Sequence, residues 1–332
     1  MFAPLASLAG RVGGSRVLVL ASSQRHVAAL RAALPARELT VFDGARVHVP
    51  AETVEAATAV LVASGADTLV AIGGGSAIGL GKALRLSHAV RFIAVPTTYA
   101  GSEMTRMYGI TRGRDKQTGR DDRVKPDLVL YDVALTASMP LALSAQSLCN
   151  AFAHVASALS TGSIPPLEAF VAAQGAVEAL EGVVGAPGNL ATRTAALKAA
   201  SACAALFDRG KPGAQHALAH LLGGAFDLDH AALHAVLLPH FLAQLPEELY
   251  AAFEEAVGQK SLDIHERTTI QDLSQAAADA MSGLPALALR LRKLLAAAGA
   301  PTTLRALGVR EDELEATVSA RPELAALARA AL

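Results

Sequence analysis

Asp67–Leu84, DTLVAIGGGSAIGLGKAL, is the stretch on which the fold turns. Thr68–Ile72 is apolar without alternation, as in a strand buried on both faces of a parallel sheet. Gly73, Gly74, Gly75 and Ser76 interrupt the run, and from Ala77 onward apolar residues return at helical spacing. A strand, a side-chain-free turn and a helix start thus follow one another. A phosphate fits that junction, because bare backbone lets N–H groups approach it and the helix N-terminus adds positive potential. The glycines match neither the G-x-G-x-x-G spacing nor the P-loop, so taken alone they are equally a tight turn.

Working outward, Arg16–Ser23 (RVLVLASS) reads as a strand, QRHVAALRAAL as a helix, and Glu38–Gly44 (ELTVFDG) as a strand ending in a turn. A helix follows in PAETVEAATAVLVASGA, with Pro50 and Ala51 at its start, and beyond the quoted stretch VRFIAVPTT reads as another strand. Strands alternating with helices imply a parallel sheet. Its carboxyl edge would carry Pro96, Thr97 and Thr98, where ligands of open α/β sheets bind. Thr111–Lys125 (TRGRDKQTGRDDRVK) reads as a charged hairpin with a solvated face. From about Ser138 the chain becomes Ala- and Leu-rich and helical, broken by TGSIPP, GAPGN and DRGKPG, with further helices from Leu245 to Leu332. The expectation is an α/β protein: a Rossmann-like parallel-sheet domain at 1–136 that binds nucleotide, then an all-helical domain at 137–332 for metal and substrate.

Composition narrows the function. Among 332 residues, 29 basic against 30 acidic side chains, no Trp and 4% aromatics leave neither a basic footprint nor a stacking platform for nucleic acid. Cys149 and Cys203 lie in apolar helical contexts and read as two buried thiols rather than a disulfide framework. Charges or glycines break every apolar run before the roughly 18 residues a membrane span needs. The start has no basic region followed by a long apolar one, so no signal peptide is expected. A soluble cytoplasmic protein with no membrane partner is the expectation.

Five of the ten histidines, His216, His220, His230, His234 and His240, fall within Gln215–His240. His216 and His220 are four apart, as are His230 and His234, which on a helix stacks each pair on one face. Such rings converge on a metal or catalytic site, or form a hydrogen-bonded core cluster.

Read in order, GGGSAIGLGKA, VPTTYAGSEMT, TGRDDRVKPDLVLYD, NAFAH and HALAHLLGGAFDLDHAALHAVLLPH resemble the iron-containing alcohol dehydrogenase superfamily, and within it the maleylacetate reductases. The resemblance runs from about Arg16 to Phe241. It implies a dehydroquinate synthase-like architecture, a homodimer, and NADH- or NADPH-dependent reduction of a small oxo acid of the maleylacetate to 3-oxoadipate type. Its metal ligands fall on His154, His216 and His230, with Asn150 where metal-dependent members carry Asp. Three neutral imidazoles suit Zn²⁺ or Fe²⁺, and with an amide in place of a carboxylate the ion would be weakly bound. His220 takes the place of the histidine beside the nicotinamide and is, with His234, expected to be catalytic. Cofactor contacts fall on Gly73, Gly74, Gly75, Ser76, Thr97, Thr98, Arg120 and Ser22, the last standing where NAD-preferring relatives carry an acid. Departures from the family pattern at Arg106, Leu148, Ser157 and Ala217 are expected to line the substrate cleft. Three alternatives stay open: an iron-type alcohol dehydrogenase for another aldehyde or ketone, a degenerate non-catalytic homologue, and a cyclase or lyase of the dehydroquinate synthase kind.

Overall fold

Apolar strands and the helices between them build the first part of the chain: β1 (Arg16–Ala21), α1 (Gln24–Ala33), β2 (Glu38–Phe42), α2 (Ala51–Ser64), β3 (Thr68–Gly73), α3 (Gly75–Ser87) and β4 (Arg91–Pro96). A hairpin of β5 (Met107–Arg112) and β6 (Asp115–Arg120) follows, then a short β7 (Leu128–Val129). The computed structural model describes residues 1–113, 115–246, 249 and 284–332. They form two units, Met1–Met139 with Gly188–Leu197, and Pro140–Pro187 with Lys198–Leu332.

In the first unit five strands pair in parallel in the order β2-β1-β3-β4-β7. Val17–Ala21 and Leu69–Ile72 are no more than 1% exposed, which is why they read as unbroken apolar runs. Alternate residues still serve opposite faces. Leu18, Leu20, Leu69 and Ala71 share a core with Ala57 and Leu61 of α2 and Ile78 and Leu84 of α3, whereas Val17, Val19, Val70 and Ile72 join Val27 and Leu30 of α1. Gly65, in the left-handed conformation at φ 54°, ends α2 and releases the chain into β3.

The strand order reverses between β1 and β3, and the crevice at that switch point is the ligand position of open α/β sheets. One expectation needs correcting. The hairpin begins at Met107 and its second strand stops at Arg120, because the Asp121 carboxylate accepts the Arg123 N–H at 2.8 Å and starts a short helical turn over Asp122–Val124. β7 was not foreseen at all, since two residues carry no periodicity.

The second unit is built from α4 (Leu141–Ser160), α5 (Pro166–Gly185), the later turns of α6 (Leu190–Phe207), α7 (Ala214–Phe226), α8 (His230–Leu242), α9 (Leu284–Ala297), α10 (Glu311–Val318) and α11 (Pro322–Ala331). α4 packs on α5 and α8, and α7 packs on α8. The helices expected across residues 250–283 lie outside the described residues. Gly188–Leu197, at the start of α6, groups with the sheet instead. There Arg193, 1% exposed, donates to the Tyr99 hydroxyl at 3.0 Å and the Met139 carbonyl at 3.1 Å. Among the described residues no helix is long and apolar enough to cross a membrane. Cys149 and Cys203 are free and buried, and burial pushes both thiols up to about 12.

Candidate functional site

The carboxyl edge of the sheet gathers a cradle made mostly of backbone. Gly73 sits at φ 152°, where a side chain is strained, and a Cβ there would stand 3.0 Å from the Ala77 Cβ and 3.5 Å from the Ser22 hydroxyl. A Cβ on Gly74 would meet the Thr98 side chain at 3.0–3.1 Å, so these two segments approach as closely as glycine allows. Around Gly75 the situation is the opposite. A Cβ there meets nothing within 4 Å, so open space lies at the N-terminus of α3. Gly74 caps that helix without a side-chain hydrogen bond, leaving first-turn N–H groups for a ligand. Thr97 N–H donates to the Gly73 carbonyl at 3.0 Å, locking the end of β4 to the end of β3. Ser22, Gly73, Gly74, Gly75, Ser76, Thr97 and Thr98 thus share one edge. Arg120 is exposed at the end of β6, opposite Met107.

Buried charge holds the cradle's two loops together. Lys82, two turns into α3 from Gly75, is 1% exposed and donates to the Thr105 hydroxyl at 3.0 Å and the Met107 carbonyl at 2.8 Å. Glu103 is buried in the same loop and accepts from the Tyr131 hydroxyl at 2.9 Å. Burial raises its carboxyl above the ordinary value against these favourable contacts.

A second cluster is made wholly of side chains, in the helical unit. His154 of α4, His216 of α7, and His230 and His234 of α8 each offer one ring nitrogen, and the four lie within 4.8 Å of one another. Local sequence sets the two starts. Gly213 caps α7, and the Asp229 carboxylate accepts the Ala232 N–H at 2.9 Å, so that α8 opens on His230. His154 stacks on Phe207 with centroids 4.5 Å apart and an interplanar angle of 8°, which fixes its ring. Burial first, and His220 second, push its pKa down to about 3, so it is a neutral imidazole with a lone pair to give. Its Nδ1 is buried and finds no hydrogen-bond partner among the described residues. Converging ring nitrogens, one of them on a neutral imidazole, and an orphaned buried nitrogen are what a divalent ion of the Zn²⁺ or Fe²⁺ kind requires, so the residues fit a metal. His220 stands beside the group, its Nε2 at 2.9 Å from His216 Nε2, and Asn150 is buried on α4 one turn before His154. His240 does not join the four.

The iron-containing alcohol dehydrogenase model matches residues 2–133, and the C-terminal model of the Fe-containing alcohol dehydrogenase family matches residues 144–328. Maleylacetate reductase 1 of Cupriavidus pinatubonensis is 37% identical over 311 residues, 92% of this chain and 81% of that one. The chain belongs to the iron-containing alcohol dehydrogenase family. Maleylacetate reductase of Burkholderia cepacia is 43% identical over 237 residues, 70% of this chain and 67% of its own. The crystal structure of maleylacetate reductase from Agrobacterium tumefaciens superposes with a TM-score of 0.81 at 32% identity, covering 100% of this chain and 95% of that one. As a member of the iron-containing alcohol dehydrogenase family the protein is an NAD(P)-dependent oxidoreductase.

Two departures from the family pattern do not face a cleft. Leu148 and Ser157 are buried within α4, and the Ser157 hydroxyl accepts the Gly213 N–H at 2.7 Å, tying the helix of His154 to the start of the helix of His216. The fit is close: a Cβ on Gly213 would stand 2.8 Å from the Ser157 carbonyl. Arg106 instead pairs with Asp122 at 3.4 Å, and Ala217 is half-buried on α7. Sequence reasoning missed Lys82, Glu103 and Gln215. Of these only Lys82 left a sign, a single charge within the apolar run GLGKAL.

Proposed function

We propose that this oxidoreductase reduces a small oxo acid with NADH or NADPH, in the manner of maleylacetate going to 3-oxoadipate. The observation that carries this reading is the coexistence, in a chain related over most of its length to maleylacetate reductases, of an open glycine cradle and a set of converging imidazoles. When bound, the dinucleotide supplies a hydride and a divalent ion draws electron density from the acceptor carbonyl. The first N–H groups of α3, bared by Gly74 and Gly75, bind the pyrophosphate, with Ser76, Thr97 and Thr98 around it and Arg120 toward the cofactor. Ser22, exposed at the end of β1, brings no negative charge to the adenosine ribose, so a 2′-phosphate is not repelled. His154, His216 and His230 hold the ion. His220 keeps a proton on its ring, within hydrogen-bond reach of His216, and hands it to the carbon that becomes nucleophilic as hydride adds to its neighbour. Net, one hydride and one proton add across the double bond.

The test is NADH and NADPH oxidation with maleylacetate and with simple aldehydes, in the wild-type protein and in His220→Ala. Maleylacetate should have the higher kcat/KM, and the variant should lose about 10²- to 10⁴-fold in kcat with nucleotide affinity unchanged. Faster turnover of aldehydes favours the alcohol dehydrogenase alternative. Nucleotide binding without any acceptor turnover favours the non-catalytic one. A loss below about threefold removes His220 from the chemistry.

A further inference from the structure

Resting on the reading of His154, His216 and His230 as ligands, we propose that the fourth ligand is His234 rather than Asn150. The ion would sit in an all-imidazole set that Gln215 orients.

His234 is placed for this. It lies one turn after His230 on α8 and is fully buried, at 0% exposed, and its Nε2 is 3.0 Å from His230 Nε2. Its ring faces His216 and His154 as well, at centroid distances of 5.2 and 5.4 Å. A tetrahedral ion with nitrogens at about 2.0–2.1 Å holds them about 3.4 Å apart. The His230–His234 pair, at 3.0 Å, needs to open by a few tenths of an ångström, and the widest pairs, within 4.8 Å, need to draw in.

The far side of the ring is already fixed. His234 Nδ1 lies 3.1 Å from the Oε1 and 2.9 Å from the Nε2 of Gln215, whose side chain is also fully buried. With Nδ1–H donating to the amide oxygen, the Nε2 lone pair faces the cluster, the arrangement in which a neighbouring acceptor sets the tautomer of a ligating histidine. Full burial also argues against a proton-transfer role for His234, because a donor to substrate must be reachable from the substrate's position.

The chemistry differs from a site completed by an amide. Four neutral nitrogens with no oxygen select Zn²⁺, Co²⁺ or Fe²⁺ over Mg²⁺, Ca²⁺ or Mn²⁺. They also fill a tetrahedron, so an acceptor carbonyl reaches the ion only if coordination expands to five.

The experiment is Co²⁺ titration of metal-stripped full-length protein, followed by its visible absorption, for the wild type, His154→Ala, His234→Asn and Asn150→Ala. NADPH affinity serves as the check that the variants are folded. Expected are a tetrahedral-type Co²⁺ spectrum in the wild type, loss of about tenfold or more in Co²⁺ affinity with an altered spectrum in His234→Asn, and little change in Asn150→Ala. Loss in His154→Ala and Asn150→Ala but not in His234→Asn overturns this inference and leaves the metal reading standing. Absence of Co²⁺ binding in the wild type, or binding indifferent to all three changes, overturns both. If His234→Asn does not fold, a crystal of the Co²⁺-loaded wild type decides, since His234 Nε2 is either in the coordination shell or not.

Discussion

The cradle at the sheet edge and the imidazole cluster are opposite ways to build a site. The cradle is backbone: four consecutive residues, Gly73–Ser76, supply most of it, and what matters is the absence of side chains and the direction of N–H groups. The cluster is side chains alone, four rings from three helices, and depends on how α4, α7 and α8 pack. A change that fills the open space at Gly75 should therefore be local and leave stability alone, whereas a change behind the cluster should cost stability as well as binding.

Gly75→Val is the sharpest way to break the two apart. Gly75 is helical and a Cβ there meets nothing within 4 Å, so the valine side chain enters the open space a pyrophosphate needs. Loss of about 3 kcal/mol of NADPH binding, roughly a hundredfold in Kd, is expected, with melting temperature and Co²⁺ affinity unchanged. Fluorescence titration and a thermal melt measure it, and wild-type NADPH affinity in the variant would sink the cradle assignment.

Ser157→Ala probes the other region. It removes the acceptor of the half-buried Gly213 N–H at a cost of about 1 kcal/mol and loosens the start of α7 against α4. Melting should fall by about 2 degrees, and Co²⁺ affinity should drop by up to roughly tenfold while NADPH affinity holds. Gly213→Ala presses on the same contact from the other side and should act in the same direction. If both variants keep wild-type metal affinity, the contact contributes only stability.

The smallest effect expected is that of Glu103→Gln, which sharpens the comparison by showing where the cradle does carry buried charge. Because burial raises the Glu103 pKa above its ordinary 4.5, the folded protein holds a proton that the unfolded chain has lost. From pH 4.5 upward this residue therefore makes stability fall as pH rises, until the folded carboxyl too has ionised. Glutamine keeps an oxygen for the Tyr131 hydroxyl and has no charge to bury. Urea midpoints at about pH 5 and about pH 8 should diverge less in the variant than in the wild type. An unchanged difference places the titration elsewhere.

Much of the first unit was legible in particular residues. Val17–Ala21 and Leu69–Ile72 announce buried parallel strands, and Gly73–Gly75 announce a turn that tolerates no side chain. The i, i+4 histidine pairs were legible too, because helical spacing alone sets His216 beside His220 and His230 beside His234. Ser157 was expected to line a cleft, but its partner Gly213 lies beyond α5 and α6 in the chain, and no local rule connects the two.

The sequence by itself determined most of the strands and helices, though not β7 or the bounds of the hairpin, where the glycine turn opens, and which histidines share a helix face. Those follow from backbone conformation and from periods of two and 3.6 residues, which act within a few positions of the chain. Only the tertiary structure decided that the start of α6 joins the sheet through Arg193, that Lys82 and Glu103 brace the cradle from inside, and that His234 and not His220 belongs to the four. Each of these depends on a partner distant in the chain, whose approach is set by how whole elements pack rather than by any residue's own preference.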